Sequence, residues 1–459
     1  MAEEQMWGRV KTTKGKGLAD KPETIPSVLR DKTRYPRWTE AMVDALPRLR
    51  AEGRKWFQLY DKVADEKTLK SAWERIDARV TGEARSRGAG VDGVTVEMFS
   101  RTAGETITAL AAALKGGRYQ TEPVKRHWIP KPGTGKKRPL GLPTVADRVV
   151  QEAARGMIEP IWEEQFLDGS HGFRPGRSTN TACLLLEEYL ASGRVWIVDA
   201  DITGCFDNIS HEATAELLYR HIADSKMRGL IKVMLKAGVM EEWTHRRTEA
   251  GTPQGGIISP LLCNIVLHEM DTRLENEGIK WVRYADDFVL ACETREQAES
   301  AVQAAARALA PLGLQLHPDK TRIVHLEEGF DFLGWHYEGT RRWPRDKTVK
   351  SFRGRIAETT RRNRPDAIEK ICSELRPFQQ GAFNYFRNGN SEYVFSRLDG
   401  YIRRRLRSIL RKRKRGGGIS KGLDHILWPN AYFSNKGLFS FAEQLHLHRA
   451  KPYHSPAGG

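Results

Sequence analysis

The stretch Trp281–Ala291, WVRYADDFVLA, places two adjacent aspartates, Asp286 and Asp287, between two apolar runs. Runs rich in Val, Phe, Tyr and Trp are typical of strands, so the stretch predicts a β-hairpin with both acids at its turn. Adjacent carboxylates in a buried hairpin lower stability unless a partner compensates their charge. Two interpretations stay open at this point: a solvated surface turn, which Asp commonly forms, and a magnesium site built from hard carboxylate oxygens.

A third carboxylate elsewhere in the chain would favour the metal site, and Asp201 is the candidate. It stands at the end of the apolar run VWIVDADI, residues 195–202, which predicts a buried strand. Asp199 lies two residues earlier on the same strand face and is a competing candidate. A strand-end or capping role is the alternative for Asp201 itself.

Length and composition limit the classes of protein to which this chain can belong. At 459 residues the chain exceeds what one hydrophobic core usually serves, so two or three domains are expected. No apolar run is long enough for a transmembrane helix, and the first residues, MAEEQMWGRV, lack the pattern of a signal or transit peptide, so we expect no membrane partner. The five cysteines show no CxxC spacing, which argues against structural zinc and disulfides and favours a reducing cytoplasm.

The positive charge is concentrated in one block. Residues 341–415 contain 23 Lys and Arg against 7 Asp and Glu, a net charge of +16 out of +17 for the whole chain. A solvated basic face would normally be interleaved with acids. The concentration therefore favours a polyanionic partner, with nucleic acid as the first candidate.

Strand and helix patterns mix through the middle of the chain. Strand-like runs flank the Gly-rich segment at 131–136 and lead into Asp201, while helical patterns follow Thr95, begin near Val145 and cover residues 294–312. The basic block is predicted to be mostly helical. The predicted fold class is therefore α+β, a catalytic core followed by a helical domain.

Three motifs carry a family resemblance. DITGCFDNI from Asp201, GTPQGGIISPLLCNI from Gly251 and YADD from Tyr284, in this order and spacing, resemble a retroviral-type reverse transcriptase palm. The segment RPLGLPTVADRVVQEAARGMIEPIWEEQFLDGSHGFRPGRS, residues 138–178, resembles more narrowly the reverse transcriptases encoded inside group II introns. The motifs are highly specific when they occur together, although PQGG alone would be weak.

This resemblance implies a right-hand polymerase. Residues 1–85 would form a basic N-terminal extension, 86–340 the fingers and palm, and 341–459 a helical thumb with the maturase X region. Many related intron proteins end in an endonuclease with pairs of cysteines, but no cysteine follows Cys372, so we expect no endonuclease domain, as in the compact class C proteins.

The implied function is that of an RNA-directed DNA polymerase that also binds its host group II intron RNA. It would extend a DNA primer on an RNA template with dNTPs, assist splicing, and support retromobility into target DNA by target-primed reverse transcription. A cytoplasmic, nucleoid-associated location in a bacterium is expected. Two alternatives remain: a domesticated free-standing reverse transcriptase in DNA repair or phage defence, and a non-enzymatic RNA-binding splicing factor.

The resemblance also implies how the carboxylates work. Polymerases use two divalent ions, spaced about 4 Å apart, to activate a 3′-hydroxyl and stabilise the leaving pyrophosphate. The implied ligands of two Mg²⁺ ions are Asp201, Ile202, Asp286 and Asp287. Lys320, in HPDKT, matches the lysine proposed to protonate pyrophosphate; a surface strand charge is the alternative.

The implied nucleotide-binding residues are Lys137, Arg138, Phe206 and Gln254. Lys137 and Arg138 would contact the triphosphate, or else be solvated hairpin charges. Gln254 would touch the sugar of the incoming nucleotide, or else make a loop capping contact. Phe206 would lie under the deoxyribose, or else pack in the core.

Two sets of arginines are candidate RNA-binding residues. Arg174 and Arg177 lie in the Gly-rich segment SHGFRPGRS, where template contact competes with structural pairing to an acid. The predicted helix YIRRRLRSILRKRKR contains more cations than protein packing requires, so RNA phosphates are the expected partners. Its candidates are Arg403, Arg404, Arg405 and Arg407. Nearby aromatics could stack on bases, but their helical spacing is more typical of a core.

Overall fold

The computed structural model describes residues 27–32, 34–35, 37–130, 137–241, 244–246, 255–414 and 422–450. The chain divides into two compact units. The first comprises residues 1–194 and 200–322, and the second comprises residues 195–199 and 323–459. Within the described residues, no helix is both long and apolar enough to cross a bilayer.

The first unit contains the larger share of the helices. Their bounds are α1 Glu40–Ala51, α2 Leu59–Val63, α3 Glu66–Arg79, α4 Val96–Lys115, α5 Val145–Glu163, α6 Thr179–Ala191, α7 Cys205–Asn208, α8 His211–His221, α9 Ser225–Leu235, α10 Ser259–Asn276 and α11 Arg295–Leu309. Side-chain caps explain several of the starts, because a Thr oxygen accepts an otherwise unpaired N–H in the first turn. Thr95 accepts from the Met98 amide, and Thr294 accepts from the Gln297 amide in a capping box. The predicted helix starts near residues 95, 145 and 294 are confirmed.

Eleven strands are described, in three sheets. Their bounds are β1 Val124–Pro130, β2 Lys137–Leu142, β3 Trp196–Asp201, β4 Val239–Glu241, β5 Thr244–Arg246, β6 Lys280–Tyr284, β7 Asp287–Cys292, β8 Arg322–His325, β9 Phe330–Phe332, β10 Trp335–Glu338 and β11 Arg341–Pro344. The sheet orders are β2-β1-β4-β5, β6-β7-β3-β8 and β11-β10-β9. The predicted pairing of strands across residues 131–136 is confirmed, since β1 and β2 are antiparallel with Ile129 opposite Arg138.

The core of the first unit surrounds α5, α10 and the β6–β7 hairpin. Val282, Phe288 and Val289 are fully buried on the hairpin, as its apolar runs predicted. Helix α10 buries residues around its whole circumference, including Leu262, Ile265, Val266 and Met270, which is expected of a central helix. The strands of the hairpin are therefore part of the packed core of the first unit, whereas Asp286 in the turn between them is only half-buried.

The second unit ends in helices. Their bounds are α12 Asp346–Thr359, α13 Ile368–Phe386, α14 Glu392–Arg413, α15 Gly422–Leu427, α16 Asn430–Asn435 and α17 Phe441–Ala450. Their core contains Phe383, Phe386 and Phe395, but Tyr385 and Tyr393 are 37% and 71% exposed. Core packing of the aromatics thus holds for the three phenylalanines and fails for the two tyrosines. The predicted α+β class with a helical C-terminal region is confirmed.

Candidate active site

The aspartate pair lies at the tip of the β6–β7 hairpin. Tyr284 pairs with Asp287, so the turn consists of Ala285 and Asp286. Ala285 has a φ of 61°, in the left-handed region that a residue with a Cβ enters only with strain. Asp286 and Asp287 are both half-buried. The hairpin is therefore a constrained turn with two acids that are neither fully solvated nor fully buried.

Asp201 is the last residue of β3, which neighbours β7 in the sheet. The chain beyond it is held in place, because the His317 amide donates to the Asp201 carbonyl at 2.8 Å and the Thr203 amide donates to the Gln315 carbonyl at 2.9 Å. Helix α7 follows at once, after Gly204 with a φ of 52°. The competing Asp199 lies inside the strand and is also half-buried.

The charge of Asp286 at the hairpin tip affects the pKa of Cys205, in the segment after Asp201. Cys205, at the start of α7, lies with its Sγ 3.5 Å from the Sγ of Cys263. The hydrogen bond with Cys263 and burial raise the pKa of Cys205, and the negative charge of Asp286 adds to this rise. Asp286 is therefore close enough to α7 for its charge to be felt there, four residues after Asp201.

Lys320 forms an ion pair with Asp201. The turn that presents it is closed by two hydrogen bonds to the His317 carbonyl, from the amides of Lys320 at 3.2 Å and Thr321 at 2.9 Å. The Lys320 side chain is 51% exposed, so it can leave the carboxylate without disrupting a core. The structure thus brings together the predicted catalytic lysine and one of the predicted metal ligands.

The donor set suits magnesium only in part. Among the described residues, no group of three or more His, Cys, Asp or Glu side chains is arranged to hold a metal ion. Ile202 is buried and forms a β-bridge with Leu316. Its hydrocarbon side chain has no ligand atom, so only its backbone carbonyl oxygen could bind a metal ion. Asp201 and Asp286 are hard oxygen donors, and Mg²⁺ commonly completes its shell with water and substrate phosphate. The residues therefore fit an ion that is completed by a bound triphosphate.

The structure describes three of the four predicted nucleotide-binding residues, Lys137, Arg138 and Phe206. Phe206 is half-buried in α7, so it is not a fully packed core side chain. Lys137 is exposed at the start of β2, and Arg138 is the next residue of that strand. Gln254 lies outside the described residues.

The loop after Gln254 lies against the same strand. Gly255 has a φ of 118°, and a Cβ on it would be 2.4 Å from the Gly141 carbonyl of β2. The Ile257 amide donates to the Gln151 side chain of α5 at 2.8 Å. The PQGG loop and the strand with Lys137 and Arg138 therefore converge, and Gln151 is a support that sequence reasoning missed.

Arg174 and Arg177 differ in their partners. Arg174 is buried; it pairs with Glu163 at 3.1 Å and donates to the carbonyls of Leu167 and Ser170. This is the structural pairing that the sequence left open, and it argues against template contact for Arg174. Arg177 pairs with the largely exposed Asp168 and keeps an accessible side chain.

The arginines of α14 also separate into two pairs. Arg405 donates to Thr360 and to the Ala357 carbonyl, and Arg407 is buried and donates to the Trp428 carbonyl and Asn430. Arg403 is partly exposed and Arg404 is exposed. RNA binding by Arg405 and Arg407 remains a prediction, although the Nε and Nη2 groups of both side chains already donate to acceptors within the protein.

Sequence reasoning also missed Arg283, the arginine just before the YADD motif. Its side chain is fully buried and pairs with Asp271 of α10, which is also fully buried. Burial raises the pKa of Asp271, and the facing guanidinium opposes that rise. The available signal was a charged residue within a strand of otherwise buried type, where a charge requires a partner.

Comparison with known proteins agrees with these motifs. The chain matches the reverse transcriptase (RNA-dependent DNA polymerase) family over residues 129–337 and the group II intron maturase-specific domain over residues 349–425. The group II intron-encoded protein LtrA of Lactococcus lactis subsp. cremoris is 31% identical over 64% of this chain, which spans 59% of LtrA. Protein YkfC of Escherichia coli (strain K12) is 34% identical over 57% of this chain, which spans 79% of YkfC.

A solved telomerase structure from Candida albicans is similar with a TM-score of 0.40 and 12% identity, over 77% of this chain and 68% of the telomerase chain. The family matches and YkfC decide the assignment, since the two matched domains occur in the order that the motifs predicted. The chain therefore belongs to the family of group II intron-encoded proteins that join a reverse transcriptase domain to a maturase-specific domain.

Proposed function

We propose that this protein is an RNA-directed DNA polymerase that binds its host group II intron RNA, assists its splicing and supports retromobility by target-primed reverse transcription. The observation that carries the polymerase proposal is the pairing of a constrained Asp286–Asp287 tip with a strand-end Asp201 in one unit. Residues 86–340 would form the fingers and palm, 341–459 the thumb and maturase X region, and 1–85 a basic extension.

The proposed polymerase site uses Asp201, Asp286 and Asp287 with the Ile202 carbonyl to hold two Mg²⁺ ions. When bound, the ions would supply charge stabilisation at the attacking and leaving oxygens. Lys137, Arg138 and Gln254 orient the dNTP, and Phe206 lies against its sugar. Lys320, which forms an ion pair with Asp201, would donate a proton to the leaving pyrophosphate.

The proposed RNA partner binds largely to the second unit. The maturase-specific match, residues 349–425, overlaps most of the basic block, residues 341–415, where the side chain of Arg403 is partly exposed and that of Arg404 is exposed. Each phosphate contact releases counterions, so binding should weaken steeply with salt. Arg177 is the remaining candidate for template contact in the SHGFRPGRS segment. Target DNA as a substrate would locate this activity at a bacterial nucleoid.

The proposal is tested by primer extension and intron splicing with Asp286→Asn/Asp287→Asn. We expect cDNA synthesis to fall below detection while splicing stays near wild type, because the protein carboxylates serve only the polymerisation site and splicing chemistry belongs to the RNA. Asp61→Asn, an exposed aspartate of α2, is the matched control and should extend the primer normally.

Three results would contradict the proposal. A wild-type protein that binds RNA but makes no cDNA would favour the non-enzymatic splicing factor. Loss of splicing in the aspartate variant, with RNA binding intact, would contradict the separation of the two activities. Activity without any splicing role would favour the free-standing reverse transcriptase.

A further inference from the structure

Arg283 uses its entire hydrogen-bonding capacity inside the first unit. Its guanidinium has five N–H donors. Two of them bond the carboxylate oxygens of Asp271, at 2.8 Å from Nε and 2.5 Å from Nη2. The other three reach the Asn264 side chain at 2.9 Å, the Ser170 hydroxyl at 2.8 Å and the Ala285 carbonyl at 3.0 Å. No donor is left for solvent.

The acceptors come from three segments that meet at the hairpin. Asn264 and Asp271 lie on α10, Ser170 lies in the loop before α6, and Ala285 lies in the turn itself. The loop also pairs with β6, since the Arg283 amide donates to the Gly169 carbonyl and the His171 amide donates to the Arg283 carbonyl, both at 2.8 Å. Arg283 therefore ties a central helix and a neighbouring loop to the turn that presents Asp286.

The turn needs support from its surroundings because its backbone at Ala285 is strained. Ala285 adopts a left-handed conformation that persists only where the surroundings impose it. Its carbonyl is the acceptor for Arg283, so the bond fixes the peptide that joins Ala285 to Asp286. On the other side, a Cβ on Gly172 would lie 2.3 Å from the Ala285 nitrogen, so the loop is in close backbone contact with the turn.

Stability alone is a weak explanation for this cluster. A buried ion pair can often be replaced by apolar residues of similar volume with little loss of stability. What apolar residues cannot reproduce is a planar group that holds five acceptors in fixed directions. The network is thus better explained by the geometry that it imposes on the turn.

We propose that Arg283 is a positioning residue that holds the Ala285–Asp286 peptide through its buried fork, and so sets the direction of the Asp286 carboxylate for metal and nucleotide. The inference rests on the proposed polymerase function. Arg283 touches no substrate in this role. It acts through the Ala285 carbonyl, with Asp271 and Asn264 orienting its guanidinium.

Three variants test the inference. Arg283→Lys keeps the charge opposite Asp271 but loses the fork. Arg283→Met/Asp271→Leu removes the pair as a unit, so no buried charge is left without its partner. Arg155→Met is the matched control, because Arg155 is also a buried arginine and its acidic partners, Glu152 and Glu159, both lie on α5.

Two readouts are measured below each variant's melting temperature. Hydrogen–deuterium exchange of the peptide covering residues 280–290, without metal, reports the turn directly. Primer extension at increasing Mg²⁺ reports its consequence. We expect faster exchange at the turn, a higher Mg²⁺ requirement and a rate at saturating dNTP lower by about 10- to 100-fold in both Arg283 variants, as expected for a misplaced catalytic group. Arg155→Met should change the melting temperature alone.

Each contrary result overturns the inference. Wild-type exchange and Mg²⁺ dependence in Arg283→Lys would show that only the charge matters, and recovery of both readouts in the double variant would show a purely structural role. Equal loosening of the turn in Arg155→Met would show a general effect. Failure of every Arg283 variant to fold would make it a folding residue. If wild-type protein makes no cDNA, the proposed function fails, while the exchange measurement still decides the positioning role.

Discussion

The arginines of α14 allow a prediction in which charge is held constant and only the partner differs. Arg403→Gln/Arg404→Gln and Arg405→Gln/Arg407→Gln each remove two positive charges from the same helix. The first pair is accessible to RNA, whereas the second is bonded within the second unit. We therefore expect the first double variant to lose RNA affinity and the second to lose stability.

The magnitudes follow from the contacts. Each lost phosphate contact reduces the slope of log K against log salt by about 0.7 to 0.9, so the first variant should lose up to about 1.8 units of slope. In the second variant, Arg405 leaves Thr360 and the Ala357 carbonyl without a donor, and Arg407 leaves the Trp428 carbonyl and a contact 5.3 Å from the Phe433 ring centroid. Loss of such bonds lowers the free energy of unfolding by about 1 to 3 kcal/mol per side chain.

The assay is intron RNA binding at several salt concentrations, with thermal unfolding measured on the same preparations. An unchanged slope in Arg403→Gln/Arg404→Gln, with the fold intact, would refute phosphate contact at these positions. A reduced slope with an unchanged melting temperature in Arg405→Gln/Arg407→Gln would refute the reasoning that their protein bonds exclude RNA.

Three further changes have defined outcomes. Phe206→Val should admit ribonucleotides while sparing much of the dNTP activity, because a flat ring excludes a 2′-hydroxyl; single-nucleotide incorporation of paired ribo- and deoxyribonucleotides checks this, and a fixed ratio with a lower melting temperature would make Phe206 a packing residue. Ala285→Gly should leave the free energy of unfolding within about 1 kcal/mol of wild type, because relief at a φ of 61° offsets the greater entropy of unfolded glycine; a larger loss in urea unfolding would contradict the strain argument. Burial and the nearby positive charges of Arg177 and Arg174 lower the pKa of His171 to about 4, so the unfolded chain binds the proton first and stability is lost as pH falls from about 6.5 towards 4. His171→Gln should reduce the loss in the free energy of unfolding between pH 7 and pH 4 by up to about 3 kcal/mol. An equal loss in both proteins would assign the pH dependence to other groups.

The local sequence pattern was sufficient to predict the helices and strands around the candidate site. The YADD hairpin, the helix start after Thr95 and the helix that gives way to Gly313 all follow from side-chain periodicity, caps and turn residues, which act over a few positions along the chain. The motifs around Asp201 and Asp286 likewise predicted the family, which the matches to known proteins confirm. The roles of the individual site residues remain predictions.

The local sequence pattern was insufficient to predict the contacts of a charged side chain whose partner is far away in the sequence. RNA binding by Arg174, Arg405 and Arg407 remains a prediction, and their spacing did not show that they also bond Glu163, Thr360 and the Trp428 carbonyl. Arg283 was overlooked for the same reason, since Asp271 and Ser170 become its neighbours only when α10 and the 169–172 loop pack against β6.

The sequence by itself determined which segments become strands and helices, which acids reach a turn or a strand end, and which family the chain belongs to, because these depend on local patterning. Only the tertiary structure decided which cations remain available to a polyanion and which are used to hold the fold. A buried guanidinium bonds most of its N–H groups within the protein, and its acceptors can come from any part of the chain that packing brings close.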